Sequence, residues 1–400
     1  MRFSDVKQLY YITHVRNVPS ILKHGILSHE RVEREGLEYR PIYDAEIVGR
    51  RKEIRTPDGR DLWDFANLYF QARNAMLYRV VTEKSADEIA VLAVNRDILT
   101  IKRPDLFIST GNAASVGSNI LPKKEGLANI DANVLTMEYW TVEDGSKRKM
   151  MAECLVPDSV PSSLIETIYV ASHRAAEQVK AEVPQTNIPI IPEPYMFFQP
   201  YNKIDLTSNL SLIEGDMLFS RLHTLTISVN IVGIMGKGLA SRAKYQFPDV
   251  YVFYQDLCRK KTLRMGKPYL YKREYEYSFD YQLADDPLTL SNANLETWFL
   301  LFPTKRHWRE RGDIHGIEEG LQWLVDNYKG EGIKSLALPA LGCGLGWLEW
   351  REVGPLLYRY LATLEIPVWI YLPRERKVPD QELTKEFLER EGLARFTRAT

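Results

Sequence analysis

One stretch of the chain, residues 227–240 with the sequence ISVNIVGIMGKGLA, restricts its fold more than any other. Apolar and β-branched residues lead into Gly233, Gly236 and Gly238, and the following LASRAKYQF segment has the apolar spacing of a helix. The pattern predicts a strand, a glycine loop and a helix start, an arrangement that favours a bound phosphate. The loop has neither the GxGxxG nor the GxxxxGK(S/T) spacing, so a purely structural turn is an equally good interpretation of this stretch alone.

A second glycine-rich loop, LPALGCGLGWLEW at residues 338–350, also follows an apolar strand. Two such loops at strand ends can hold both phosphates of a diphosphate. Between them, WFLLFPTKRHWRE predicts another strand, which ends at Thr304, Lys305 and Arg306. Without further context, Lys305 could equally be an ordinary surface cation.

The segments GDMLF, SVNIVGIMGKGLA, FPTKRHWR and LGCGLGWLEW resemble, in this order and spacing, the macrodomain of the DarG family of antitoxins. The resemblance covers residues 210–373. It implies an α/β macrodomain, with a mixed sheet between helices, that removes ADP-ribose from a DNA base. ADP-ribose is expected to bind at the carboxyl ends of the strands.

The DarG resemblance also implies roles for single residues. Lys305 becomes the catalytic lysine, which either attacks ribose C1 or protonates or polarises the leaving base. Asp216 is expected to face the adenine amino group and Asn230 the ribose. The residues expected to contact the diphosphate are Gly236, Lys237 and Gly238 in the first loop and Gly342, Cys343, Gly344, Leu345 and Gly346 in the second.

The composition of the chain limits which partners, metals and compartments are expected. The chain has 400 residues and a net charge of −1, and neither half is basic overall, so any DNA contact must depend on local cationic clusters. The three cysteines and seven histidines form no ligand spacing, which predicts no metal and no disulfide framework. No apolar run approaches 18 residues and no signal-like core is present, so we expect a cytoplasmic protein without a membrane partner.

Several patterns in the first half leave two interpretations open. His14 ends a predicted strand at residues 10–14, before a helix that stops at Gly25, and it is either a ligand contact or a half-buried histidine. The cations at 50, 51, 52 and 55 form either a solvated face or a nucleic-acid contact. Arg73 and its aromatic neighbours either stack a base or belong to the core. Glu153, in an alternating run, is either outward-facing or functional.

The segments YITHVRNVPSILKHGIL, the RR after EIVG, YFQARNAMLY, GNAAS and MAECLVP resemble the DarT family, over residues 5–175. This resemblance implies an α+β ADP-ribosyltransferase fold that transfers ADP-ribose from NAD, its substrate, onto bases of single-stranded DNA, its partner. Thymidine is the expected base, and guanosine is the alternative because QARNAM lacks the proline of the family loop.

By the DarT resemblance, Glu153 hydrogen-bonds the ribose 2-hydroxyl and accepts the proton of the incoming base. Arg51, with Arg50 as the alternative, orients the base and favours its deprotonated form. His14, Asn17 and Arg73 are the expected NAD contacts.

We therefore predict two domains and a tail. Residues 1–200 form the transferase with a proline-rich linker at its end, residues 201–375 form the macrodomain, and residues 376–400 form a charged, amphipathic helical tail. The linker is expected to be semi-rigid, with packing of its PYMFF residues on a domain as the alternative. The expected function is a fused toxin and antitoxin, a writer and an eraser of ADP-ribose on DNA. The alternatives are a macrodomain that only binds ADP-ribose, and one that only blocks the transferase pocket.

Overall fold

The structure, a computed structural model, describes residues 1–42, 50–101, 105–141, 144–273, 297–374 and 376–389. These residues form two compact units, residues 1–199 and the described residues from 200 onward. No helix of the described residues is long and apolar enough to cross a membrane.

The first unit is built on an eight-stranded sheet with the order β10-β9-β4-β1-β3-β7-β5-β6, beside a two-stranded sheet of β2 and β8. All neighbours in the large sheet are antiparallel except β9 and β10. The strands are β1 (Gln8–His14), β2 (Ile26–Leu27), β3 (Phe65–Tyr69), β4 (Ile89–Asn95), β5 (Phe107–Ser109), β6 (Ile120–Pro122), β7 (Glu153–Pro157), β8 (Ser159–Val160), β9 (Ile165–Val170) and β10 (Ile190–Pro192).

The helices of this unit are α1 (Val18–His24), α2 (His29–Arg34), α3 (Ala75–Glu83), α4 (Lys123–Asn129), α5 (Ala132–Leu135), α6 (Ser146–Lys149) and α7 (His173–Glu182). As predicted, the first strand leads into a helix that stops at Gly25, which has a φ of 87°. A side chain at this glycine would overlap the carbonyl of Val160, so the turn requires glycine. An antiparallel sheet with separate helices confirms the predicted α+β class.

The second unit contains a seven-stranded sheet with the order β11-β12-β17-β16-β13-β15-β14. The five inner strands are parallel to their neighbours, and the edge strands β11 and β14 are antiparallel. The strands are β11 (Asn202–Asp205), β12 (Leu210–Glu214), β13 (Thr224–Asn230), β14 (Tyr269–Tyr271), β15 (Trp298–Lys305), β16 (Leu336–Pro339) and β17 (Val368–Tyr371).

Helices cover both faces of this sheet. They are α8 (Gly238–Gln246), α9 (Pro248–Arg259), α10 (Ile314–Glu331) and α11 (Trp350–Leu361). One core joins α10 and α11 to the sheet, and a second core joins α8 and α9 to the sheet. Burying the inner strands on both sides explains their continuous apolar runs. The predicted mixed sheet between helices, the α/β macrodomain architecture, is confirmed.

The proline-rich stretch before residue 200 is more ordered than the linker that its composition predicts. β10 pairs with β9, and Phe197 and Phe198 are buried in the first unit. β11 then begins the second sheet after only a few residues. The five prolines therefore lie mainly in structured segments of the first unit, and the two units meet in sequence at Gln199 and Pro200.

Residues 376–389 of the charged tail pack on the second unit. Leu383 and Leu388 are buried in its core, and the Trp350 indole donates a hydrogen bond to the carbonyl of Glu382 at 3.0 Å. This part of the tail thus extends the macrodomain core. Residues 390–400, the rest of the predicted helical tail, lie outside the described residues.

Candidate active sites

The first site is built around Glu153, the first residue of β7, which is fully buried. The Arg51 guanidinium comes from the short 3-10 helix Arg50–Glu53 and meets both carboxylate oxygens, with Nη2 2.9 Å from Oε2 and Nη1 3.4 Å from Oε1. The backbone N–H of Ala113 donates to Oε1 at 2.9 Å. The outward-facing interpretation of Glu153 is therefore wrong.

The Arg51 guanidinium keeps its charge although it is buried. Burial lowers the pKa of Arg51, but the charge and hydrogen bonds of Glu153 outweigh burial and raise the pKa overall. Burial and the same carboxylate also raise the pKa of Tyr69, which lies opposite Glu153 on β3. The site thus places the Glu153 carboxyl group against one cation and one backbone N–H, beside a neutral phenol.

A cavity of about 200 Å³ opens beside the ion pair. Arg51 and Tyr69 line it, together with Asn17 and His29. Burial and the Arg51 charge lower the pKa of His29 to about 4, so this imidazole is neutral at pH 7. Arg40, Arg79, Glu38 and Glu83 also line the cavity, so charged groups of both signs surround it beside the Arg51–Glu153 pair.

Asn17 lines the cavity, but its amide is used to hold the backbone of Arg40. Nδ2 donates to the Arg40 carbonyl at 2.8 Å, and Oδ1 accepts from the Arg40 N–H at 2.7 Å. His14 is not among the lining residues. Its Nδ1 accepts from the backbone N–H of Arg16 at 3.1 Å, and burial lowers its pKa. Both residues therefore shape the polypeptide next to the cavity in this structure.

Arg73 lies elsewhere. Its guanidinium is between the rings of Tyr195 and Phe198, 4.2 Å from each ring centre, and Nε donates to the Tyr195 carbonyl at 3.0 Å. Arg73 thus packs on the end of the first unit and is not among the residues that line the cavity, and its contact with NAD stays a prediction. The alternative to Arg51, Arg50, begins the same 3-10 helix, and its side chain lies outside the described residues.

The second site lies where β13 and β15 end side by side. Asn230 pairs with Lys305 in the register of these parallel strands, so both residues lie at the same edge of the sheet. The Lys305 ammonium donates to the backbone carbonyls of Leu345 at 2.9 Å, Trp308 at 3.3 Å and Glu310 at 3.5 Å. Burial lowers the pKa of Lys305.

The two glycine loops approach each other at this edge. Gly238 has a φ of 61°, and a side chain there would lie 3.1 Å from Leu345 of the second loop. Gly342 has a φ of 76°, and Gly346 packs directly on the Gly342 carbonyl. Helix α8 begins at Gly238, and its cap residue Lys237 gives no side-chain hydrogen bond. Its first N–H groups can therefore donate to an anion.

The other predicted residues of the second unit have structural partners. Asp216 is buried and forms an ion pair with Arg242 at 2.8 Å. The Asn230 amide donates to the Ile234 carbonyl at 2.7 Å and accepts from the Tyr254 hydroxyl at 2.9 Å. The polar atoms of the Asn230 side chain thus hold the first loop, and its contact with a ribose stays a prediction.

The remaining residues of the two loops differ in exposure. Gly236 is exposed in the first loop, and Gly344 and Leu345 are partly or fully exposed in the second. Cys343 is buried, which raises the pKa of its thiol to about 12 and makes it unreactive.

Sequence reasoning missed three supporting residues. The Ala113 N–H contacts Glu153, the Ser109 hydroxyl accepts from the Glu153 N–H at 3.0 Å, and Arg242 pairs with Asp216. The GNAAS segment was a visible signal for the first contact, but Arg242 lies within an ordinary helical pattern. Among the described residues no cluster of histidine, cysteine and acidic side chains could hold a metal ion.

Comparisons with known proteins match both units. The family described as "ssDNA thymidine ADP-ribosyltransferase, DarT" matches residues 10–198. A "DNA ADP-ribosyl transferase-DNA ADP-ribosyl glycohydrolase fusion protein" of Thermosipho africanus is 57% identical over 389 residues, 96% of this chain and 99% of the relative. The chain belongs to this family of DarT–DarG fusions. Its first unit is a DarT-type transferase domain and its second a DarG-type macrodomain.

Two further matches support the DarT–DarG family. The solved structure of Thermosipho africanus DarTG in complex with ADP-ribose has a TM-score of 0.88 and 56% identity, covering 96% of this chain and 99% of that chain. A DNA ADP-ribosyl glycohydrolase of Thermus aquaticus is 35% identical over 167 residues, 42% of this chain and 42% of the relative. The fold and the family thus agree over nearly the whole length.

Proposed function

We propose that this DarT–DarG fusion transfers ADP-ribose from NAD to thymine in single-stranded DNA with its first unit and hydrolyses that bond with its second. The observation that supports it is the presence, in one chain, of a buried Arg51–Glu153 pair beside a cavity and of Lys305 beside two glycine loops. The family description of residues 10–198 names thymidine, which favours this base over guanosine.

In the proposed transfer, NAD lies in the cavity with its nicotinamide ribose against Glu153. The carboxylate hydrogen-bonds the ribose 2-hydroxyl and stabilises the positive charge that develops on the sugar as nicotinamide leaves with the bonding electrons. The base nitrogen then bonds to C1, and Glu153 accepts its proton. Arg51 lies within 2.9 Å of this carboxylate and would favour the deprotonated base through its charge.

The carboxylate can accept a substrate hydroxyl beside its present partners. In this structure Arg51 contacts both carboxylate oxygens, and the Ala113 N–H also contacts Oε1. Because the two oxygens of a carboxylate offer about four acceptor sites, a ribose hydroxyl can add to these three contacts.

For the hydrolysis, we propose that Lys305 acts as an ammonium. Three backbone carbonyls surround Nζ and stabilise the charged form, which opposes the effect of burial on its pKa. A charged lysine can protonate or polarise the leaving base while water attacks C1, whereas nucleophilic attack needs a neutral amine. Diphosphate binding at the two glycine loops and at the start of α8 would hold ADP-ribose for this step.

Purified full-length protein, NAD and a thymidine-containing single-stranded oligonucleotide test both assignments. Lys305→Ala should accumulate modified oligonucleotide, and Glu153→Ala should form none, as measured by mass spectrometry. In a bacterial host, Lys305→Ala should arrest growth, and adding Glu153→Ala should relieve the arrest. Unchanged turnover of modified DNA by Lys305→Ala would refute the hydrolase assignment, and equal growth of both variants would refute the toxin assignment.

A further inference from the structure

Two exposed tryptophans flank Lys305 in the macrodomain. The side chains of Trp347 and Trp308 are 62% and 43% exposed. The Lys305 ammonium lies 5.8 Å from the centre of the Trp347 ring, and it donates to the backbone carbonyl of Trp308 at 3.3 Å. Two large apolar side chains held in solvent beside a reactive lysine indicate a binding surface.

The backbone at Trp347 supports this interpretation. Trp347 has a φ of 56°, in the left-handed region that a bulky residue rarely adopts. Its N–H donates to the Gly344 carbonyl at 3.1 Å, and its neighbours Gly346 and Leu348 are buried. The second loop thus holds the indole out of the core at a conformational cost. Such strain is most often found at sites that contact a ligand.

Cations accompany the two rings. The Arg309 guanidinium lies 4.5 Å from the centre of the Trp308 ring. Residues 305–313 contain four lysines and arginines against two acidic residues, in a chain whose net charge is −1. Arg306 and Arg311 are exposed in this segment, with 65% and 59% of their side chains accessible, and each forms an ion pair at the surface, with Asp313 at 3.8 Å and Glu352 at 3.1 Å. Aromatic rings interleaved with arginines are the surface on which single-stranded nucleic acids stack.

We propose that Trp347 and Trp308 form a stacking platform for single-stranded DNA, on which the eraser recognises its substrate. This inference rests on the function proposed for Lys305. Trp347, nearest the ammonium, stacks on the modified base, and Trp308 with Arg309 holds the adjoining nucleotide. The glycine loops bind the ADP-ribose part, and the platform binds the DNA part of the same substrate.

Hydrolysis assays with the full chain, in the absence of NAD, test the platform. The substrates are an ADP-ribosylated oligonucleotide and ADP-ribosylated thymidine nucleoside. Because stacking of one base on an aromatic ring contributes about a factor of ten or more, Trp308→Ala should raise KM about tenfold for the oligonucleotide only. Trp347→Ala should raise KM for both substrates by a similar factor. The kcat values should stay within about twofold of wild type.

Matched variants separate stacking from structural damage. Trp347→Phe should restore most of the affinity, and Tyr245→Ala, an exposed aromatic at the far end of α8, should have no effect. Trp347→Gly should raise KM as Trp347→Ala does, yet unfold at no lower temperature, because glycine suits the positive φ. Affinity for free ADP-ribose should be unchanged in Trp347→Ala and Trp347→Gly. A parallel loss of ADP-ribose affinity, or an unchanged KM for the oligonucleotide, would overturn the platform.

Photocrosslinking tests DNA binding at the platform without depending on the hydrolysis reaction. An oligonucleotide with 5-iododeoxyuridine beside the modified thymidine should crosslink to the tryptic peptides 335–351 and 307–309, which contain Trp347 and Trp308. If these crosslinks form but wild type releases no ADP-ribose, the platform stands and the hydrolase proposal fails. If hydrolysis proceeds and crosslinks map elsewhere, the platform fails and the hydrolase proposal stands. If both are absent, both fail.

Discussion

The Arg51–Glu153 ion pair combines a buried charge with a chemical role. Removing one partner of such a pair leaves the other buried without compensation, at a cost of about 3 kcal/mol. Glu153→Gln should therefore abolish DNA modification and also lower the unfolding free energy of the first unit. The double variant Arg51→Met with Glu153→Gln should recover much of that stability without activity. Urea unfolding of wild type, Glu153→Gln, Arg51→Met and the double variant measures the coupling, and strictly additive losses would contradict a buried pair.

Lys305 predicts the pH dependence of the eraser. Burial places its pKa below the ordinary 10.5, and an ammonium acts only below that pKa. Hydrolysis of modified DNA should therefore fall as pH rises through the pKa of Lys305, as measured by kcat/KM between pH 6 and 10. An amine nucleophile predicts the opposite slope and an imine that borohydride traps, so a trapped adduct at Lys305 would exclude the ammonium role.

The residues near each site were easier to predict from the sequence than their hydrogen-bond and ion-pair partners. The family motifs indicated Glu153, but its burial depends on β3 and on Arg51, which is 102 residues away. Asn17 and Asn230 lie beside the predicted sites, yet both amides bind nearby backbone. The sequence alone does not show which of several nearby polar groups a side-chain amide will hydrogen-bond. The structure thus adds the hydrogen-bond partners of these two residues, which their positions in the sequence did not indicate.

At the scale of elements, the second glycine loop depends on close backbone packing. A side chain on Gly346 would fall on the Gly342 carbonyl, which cannot move aside as a flexible side chain can. Gly346→Ala should lower kcat/KM for hydrolysis at least about tenfold, by displacing a diphosphate contact. The rate of NAD-dependent modification, measured on the same protein, should be unchanged.

A matched glycine in the same unit provides the control. Gly330 lies in α10 with no atom within 4 Å of an added side chain. Gly330→Ala should keep full hydrolysis and gain about 0.5–1 kcal/mol of stability, because alanine suits a helix better. Equal hydrolysis by the two variants would show that the loop tolerates a side chain.

The predicted elements agreed best with the structure where a regular apolar spacing is followed by a glycine loop. The strand, loop and helix around residue 233 are present, but β13 ends at Asn230, two residues before the predicted strand does. The Asn230 side chain binds the N–H of Val232 at 3.0 Å and bends the chain there. Apolar Ile231 and Val232 gave no sign of this bend, because an asparagine turn depends on a side-chain contact.

At the scale of the whole molecule, each hydrophobic core draws its residues from one unit only among the described residues. Each active site also takes its residues from one unit. Glu153→Ala should therefore leave hydrolysis of added substrate within about twofold of wild type, and Lys305→Ala should leave the initial rate of modification within the same range. Initial-rate assays on both substrates measure this, and loss of both activities in one variant would contradict separate sites.

Composition and motif order indicated two domains, but not how the chain passes from one to the other. Prolines predicted a semi-rigid linker, whereas β10 and two buried phenylalanines belong to the first unit. Proline is compatible with edge strands, and β10 is an edge strand. The tail, predicted as a charged helix, contributes leucines to the second core. Both segments are held by contacts with other elements of their own unit, which their composition does not reveal.

The sandwich of Arg73 between Tyr195 and Phe198 has a practical consequence for anyone who wishes to isolate the transferase. A fragment that ends after α7, where the prolines begin, would lack Tyr195 and Phe198, the two rings that contact the buried Arg73 guanidinium. It would also lack the edge strand β10. Proteolysis between residues 193 and 199 would do similar damage. A transferase fragment should therefore extend at least to Phe198, the last aromatic residue that packs on Arg73.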